Sequence, residues 1–278
     1  MRRTSIRLLL TSLIVAATPS LMASQMVSAQ SLTDSGRSYV ARGNDWFKKG
    51  DAARAISDYG LALAFDAESV PALFNRAVAR FSSGDVAGAF RDYSQVLQID
   101  PRQYAAHLNR GTVSFVMGDF RAALADYDRA VELKPKAAMA WSNLALARQA
   151  LKDLSGAAAD FKQALKLDSH NAQAWANLAR LEWVQGESDQ SVECYKHAVK
   201  LAPAASAFWN DLANLLAERG DMAGAVSAFD RAIELDPVNP AFFSNRGRMW
   251  LMNGNLEKAE KDLNRALAID PAYADAWA

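Results

Sequence analysis

The sequence predicts an all-α fold, an α-solenoid of helix–turn–helix repeats, and three observations predict it. First, the letters "AQAWA" at 172–176 return as "ADAWA" at 274–278, starting 102 residues later, three times 34. Second, a frame of seven 34-residue repeats needs no insertion or deletion: 36–69, 70–103, 104–137, 138–171, 172–205, 206–239 and 240–273. Third, apolar residues inside each repeat recur at helical spacing, with turn-forming residues between the runs.

Each column of the frame has a physical reason. Position 8 is small throughout: Gly43, Ala77, Gly111, Ala145, Ala179, Ala213 and Gly247. Position 20 is Ala55, Ala89, Ala123, Ala157, Ser191, Ala225 and Ala259, and position 27 is Ala in every repeat except at Val96. Small residues at fixed places mark the close approach of two helices, and a bulky replacement at Ala123 or Ala213 is expected to cost roughly 1–3 kcal/mol by overpacking. The first helix carries the stripe Trp209, Leu212, Ala213 and Leu216; the second carries Ala123, Tyr127, Ala130 and Val131. Between them Gly118-Asp119 supplies a helix stop followed by a helix cap. Position 15 is Gly in six repeats, Lys152 being the exception. Position 32 is Pro101, Pro135, Pro203, Pro237 and Pro271, which ends the second helix by pushing the preceding residue out of α geometry.

Trp at position 4, Leu-Ala or Arg-Gly at 7–8, Gly at 15, Ala at 20, Tyr or Phe at 24, Ala at 27 and Pro at 32 resemble the tetratricopeptide repeat. The stretch "NRGTVSFVMGDFRAALADYDRAVELKP" (109–135) is close to that pattern. The resemblance implies a right-handed superhelix whose first helices line a concave groove. It is specific for fold and says little of function.

The ends read differently. Arg2, Arg3 and Arg7 precede the apolar run "LLLTSLIVAA" (8–17), which makes 1–29 a signal peptide cleaved after Ala29, or alternatively after Ala23, with 30–35 a short leading segment. The expected location is outside the cytoplasm, in a bacterial periplasm or secreted; membrane attachment would come only from an uncleaved signal. Residues 274–278 read as the start of an incomplete eighth repeat. Two alternatives follow: a homodimer formed through the last repeat, or a longer protein with a catalytic domain beyond residue 278.

The whole chain has 31 basic and 31 acidic residues; without the three arginines of the leader the balance is 28 to 31, a net charge of −3. Nucleic acid is thereby disfavoured, since phosphate binding needs clustered Lys and Arg. The single cysteine, Cys194, excludes an internal disulfide. No phosphate loop, nucleophile elbow or paired-histidine zinc motif occurs. His107, His170 and His197 are scattered, so neither metal nor cofactor is expected, nor catalysis.

The expected function is therefore binding of an extended or helical peptide segment by a non-catalytic scaffold or assembly factor. Helical geometry turns positions 2, 5, 9, 12 and 13 of each first helix away from the core stripe, and the resemblance assigns them to the groove. In the early repeats these include Phe47, Phe74, Phe81 and Phe115, which read either as apolar anchors for a partner or as residues buried between repeats. In the later repeats the same face is polar, with Arg180 and Arg248 at position 9 and Asn210, Asn214, Glu218 and Ser244 beside them. Position 6 repeats as Asn75, Asn109, Asn143, Asn177 and Asn245, with Asp211 once. Such a row either bonds the main chain of a bound peptide, as in the similar asparagine ladder of O-linked N-acetylglucosamine transferases, or makes structural bonds within the fold. The family's basic clamp for a partner's carboxylate matches only at Asn44 and Asn75.

Overall fold

The computed structural model describes residues 34–273. The expected leader, most of the 30–35 segment and the start of an eighth repeat lie outside the described residues. Among those described there are fourteen α-helices and no strand, so the chain is all-α as predicted. None of these helices is long and apolar enough to cross a membrane. The chain divides into two compact units, one ending at Leu167 and the other beginning at Asp168.

The amino-terminal unit holds α1 (Asp34–Lys48), α2 (Ala52–Phe65), α3 (Val70–Ser82), α4 (Val86–Ile99), α5 (Tyr104–Val116), α6 (Phe120–Leu133), α7 (Ala138–Ala150) and α8 (Leu154–Leu167). Each helix packs on the next, first within a hairpin and then onto the following hairpin. The small columns are what permit this. A Cβ added at Gly43 would sit 2.7 Å from the Tyr59 ring, and one at Gly111 would sit 2.8 Å from the Tyr127 ring. Ala77, Ala89, Ala123 and Ala130 are fully buried in the same seams.

The carboxy-terminal unit holds α9 (Ala172–Val184), α10 (Ser188–Leu201), α11 (Ser206–Glu218), α12 (Met222–Leu235), α13 (Pro240–Met252) and α14 (Leu256–Ile269). Its core gathers Ala213, Ala217, Ala225, Ala228, Phe229 and Met249 from α11, α12 and α13.

Both turns of the hairpin follow the expected chemistry. The Asp119 carboxylate accepts the Ala122 N–H at 3.0 Å, capping α6, and Asp85 and Asp221 cap α4 and α12 in the same way. Glu187, one methylene longer, makes no such bond at the head of α10. Position 15 has positive φ in every hairpin, and in the fourth repeat it is Lys152, at φ 70°, that takes the left-handed conformation elsewhere given to glycine.

Candidate functional site

In the third to sixth repeats, position 4 of the first helix ties the hairpin to the turn before it. The indole N–H of Trp141 donates to the Pro135 carbonyl at 2.9 Å, that of Trp175 to Ser169 at 2.9 Å, and that of Trp209 to Pro203 at 3.0 Å. His107 fills the same slot, with Nε2 3.1 Å from the Pro101 carbonyl and Nδ1 2.9 Å from Asp126. Two of the histidines are thus structural: His107 bridges a turn to a helix, and His197 stacks on Trp175 with ring centres 4.5 Å apart. Among the described residues no group of three or more His, Cys, Asp or Glu side chains is arranged to hold a metal.

A column of ion pairs that the sequence analysis did not assemble lies between the two helices of several hairpins. Position 7 arginine forks onto position 23 aspartate: Arg76 onto Asp92 at 2.8 and 2.9 Å, Arg110 onto Asp126 at 2.8 Å, and Arg246 onto Asp262 at 2.7 Å. The aspartates are buried, so each needs its cation. In the fourth repeat position 7 is Leu144, and Asp160 relies on Arg148 Nη1, 2.8 Å away. Arg148 also lies near Asp128 and Asp153, at 3.6 and 3.9 Å. Burial, opposed by Arg148 and reinforced by the two neighbouring carboxylates, pushes the Asp160 carboxyl up to about 6. In the fifth repeat the column becomes Leu178 with Cys194, whose thiol lies 3.3 Å from the buried Glu182 carboxylate. The spacing of 16 residues between Arg and Asp was the signal that would have revealed this column.

The structure corrects the reading of the aromatic groove. Phe74 has no exposed surface and Phe115 only 3 %, so both belong to the core of the amino-terminal unit. Phe74 meets the Tyr93 ring edge-on at 5.4 Å, and Phe115 meets Phe120 at 4.9 Å. Phe47 and Phe81 are half-buried against the same cores. For Phe74 and Phe115 these ring partners come from the second helix of the same hairpin. Phe74 and Phe115 are packing residues, not open anchors.

The asparagine row is likewise turned inward. Asn75 donates to Asn44 at 3.0 Å, and the Tyr59 hydroxyl donates to the same Asn44 oxygen at 2.8 Å. Asn109 donates to the Tyr93 hydroxyl at 3.3 Å, Asn177 accepts from Gln173 at 3.0 Å, and Asn245 donates to Asn210 at 2.9 Å. Asn143, 2 % exposed, keeps a buried Oδ1 without a hydrogen bond. The row therefore bonds within the fold, in two cases joining the first helices of successive repeats. Asn75, Asn109, Asn143 and Asn177 are buried, whereas Asn245 is half-buried.

An open stretch of the first-helix face lies in the carboxy-terminal unit. Arg180, Trp183 and Val184 on α9 and Asp211 on α11 line a recess of about 340 Å³. Arg180 donates to Asp211 at 2.8 Å, and the Trp183 indole N–H donates to Glu218 at 2.8 Å, so α9 and α11 are joined along this face. Burial alone would weaken the Arg180 proton; Asp211 and the Tyr195 hydroxyl outweigh it and raise the guanidinium above its ordinary value. Val184 is 69 % exposed, and at the matching positions of α13 Leu251 and Met252 are 42 % and 68 % exposed. Arg248, one turn earlier on α13, is exposed and has no partner among the described residues. Of the residues expected at the groove, Arg180, Arg248 and Asn245 fall on this face; the exposed apolar rim of Val184, Leu251 and Met252 was not anticipated.

Comparison with known proteins agrees with this architecture. The tetratricopeptide repeat family matches residues 40–104, 108–172, 142–206, 176–240 and 211–274. No curated protein matches the sequence. Among solved structures, the chain is similar to YrrB, described as a tetratricopeptide repeat protein with an unusual peptide-binding site, at 23 % identity, TM-score 0.58, over 66 % of this chain and 95 % of that one. It is similar to a tetratricopeptide repeat protein from Parabacteroides merdae at 19 % identity and TM-score 0.67, covering 88 % and 97 %. The C-terminal part of a repeat protein from Cytophaga hutchinsonii aligns at 15 % identity and TM-score 0.69, covering 86 % and 98 %. Three small-residue columns in register over seven repeats, hairpins packed in chain order within each unit, and family matches over most of its length all lead to one assignment: the chain belongs to the tetratricopeptide repeat family, whose repeats serve as protein-interaction scaffolds.

Proposed function

We propose that this protein is a non-catalytic scaffold that captures an extended or helical segment of a partner on the first-helix face of its carboxy-terminal unit. The observation that carries the reading is the pairing of exposed apolar side chains with anchored polar ones: Val184, Leu251 and Met252 beside Arg180, Asn245 and the free Arg248. Exposed apolar groups in a polar setting are what a docking surface needs, since burial supplies the affinity and the polar groups supply orientation. The face is preformed by the bonds between helices, so little ordering entropy is lost on binding. YrrB, which shares the fold, is described as binding peptide, and that supports the class of ligand without naming it.

The test is selection of peptides from a random displayed library on the folded chain. Peptides chosen in this way should lose at least tenfold in affinity to a Val184→Glu, Met252→Glu variant. Retained affinity, or cross-linking that maps the peptide to the amino-terminal unit, overturns the reading. Export is part of the same proposal: mass spectrometry of the protein from cells should find a chain starting at Gln30 or Ser24, and an intact Met1 terminus would remove it.

A further inference from the structure

Three of the six indole rings among the described residues are covered by the chain's own cations or rings. Trp46 lies under Lys49 and Arg54, at 5.0 and 4.5 Å, Trp250 lies under Lys258 at 4.4 Å, and Trp175 lies under His197. His197 is at position 26 of the fifth repeat, Trp175 at position 4. In the sixth repeat the same two positions are Arg231 and Trp209, and there the stack is absent. Arg231 turns along α12 instead and pairs with Glu234 at 2.9 Å.

The half-buried Trp209 is left bordering a recess of about 530 Å³, with Ala223 and Val226 beside it and Asp230, Arg231 and Glu234 at the rim. Asp230 gives one oxygen to Arg246, and Glu234 gives one to Arg231. Each carboxylate keeps a second oxygen and a side chain at least half exposed, 51 % for Asp230 and 64 % for Glu234. The fifth repeat has Lys196 and Lys200 where the sixth has Asp230 and Glu234, so the rim reverses sign where the ring is missing.

We propose that this recess is a docking site for an arginine side chain presented by a protein partner. The guanidinium lies flat on the Trp209 indole and donates to the open oxygens of Asp230 and Glu234. The indole face attracts a cation through its quadrupole, and a planar cation with several donors satisfies face and carboxylates together, which an ammonium does not. The site uses none of the residues assigned to the peptide-binding face above, and it stands or falls separately.

The experiment follows the Trp209 indole N–H signal of the isotope-labelled chain, assigned with a Trp209→Phe variant, during titration with acetyl-Gly-Arg-Gly-amide, its lysine analogue and its leucine analogue. A saturable shift is expected with the arginine peptide, at least fivefold weaker with lysine and absent with leucine. The Asp230→Asn, Glu234→Gln variant should weaken the arginine peptide at least fivefold. Two replacements of Arg231 should act in opposite directions. Arg231→Ala frees Glu234 and tightens binding, whereas Arg231→His places an imidazole on Trp209, as His197 sits on Trp175, and blocks it. Melting curves check that each variant is folded. No saturable shift at Trp209, an equal response to lysine or leucine, or equal effects of the two Arg231 variants would overturn the proposal.

Discussion

The two units use the same hairpin and leave opposite kinds of surface at matching positions. At position 12, Phe115 in the amino-terminal unit is 3 % exposed, while Leu251 in the carboxy-terminal unit is 42 % exposed. Between the helices, arginine at position 7 holds the buried aspartate in the first three repeats and again in the seventh, Arg148 at position 11 takes that part in the fourth, and only the fifth and sixth repeats lack the pair, with Leu178 and Cys194 or Leu212 and Ala228 at those positions. The amino-terminal unit buries the Phe115 ring where the carboxy-terminal unit exposes Leu251, although both units keep some large apolar side chains at the surface, Phe65 and Met117 in one and Val184 and Met252 in the other. A repeat frame thus says where a side chain starts and leaves its use to the neighbours.

The largest effect that would break this comparison is in the aromatic core. Phe74→Ala and Phe115→Ala should each cost about 3–5 kcal/mol in urea unfolding, whereas Val184→Ala should stay within about 0.5 kcal/mol. Near-equal costs in the two units would erase the distinction. Next is the ion-pair column: Asp126→Ala strands the partly buried Arg110 and the buried His107 and should cost about 3 kcal/mol. At the same position of the fifth repeat Cys194→Ala loses a weak thiol bond and should cost about 1 kcal/mol by the same measurement.

A smaller effect sharpens the view of the fourth repeat. Folding raises the Asp160 carboxyl from 3.8 to about 6, so the folded form holds the proton more tightly than the unfolded one. Its contribution is present at low pH, fades as pH rises through about 6, and leaves a buried carboxylate with an overshared arginine above that. Asp160→Asn should therefore raise the melting temperature most above pH 6, by an equivalent of about 1–2 kcal/mol once solvent screening is allowed for, and flatten its pH dependence. An unchanged pH profile would show that Arg148 already compensates. Smallest is Lys152→Gly, which removes the one left-handed non-glycine residue among those described and should stabilise by about 0.5–1 kcal/mol.

Much of the hairpin was legible from letters alone. Gly-Asp at the turn, alanine at the seams and proline after the second helix act through the backbone or an adjacent turn, and each does in the structure what its chemistry requires. The site was less legible. Asn75 and Asn109 were visible as a row, but their partners, Asn44 and the Tyr93 hydroxyl, belong to the preceding repeat and are absent from any local pattern. For the Phe residues the spacing left two readings, anchor or packing, and burial decides for packing at Phe74 and Phe115, because spacing fixes direction and says nothing about what packs there.

By itself, then, the sequence determined the helix pairs, their period, their caps and their order, since these follow from interactions within about one turn and from volumes at the hairpin seam. Only the tertiary structure decided which first-helix faces stay open and that Trp209 lacks the cover Trp175 enjoys. Exposure is a property of atoms contributed by other repeats, some 16 to 35 residues away along the chain. A 34-residue pattern read one repeat at a time does not contain it.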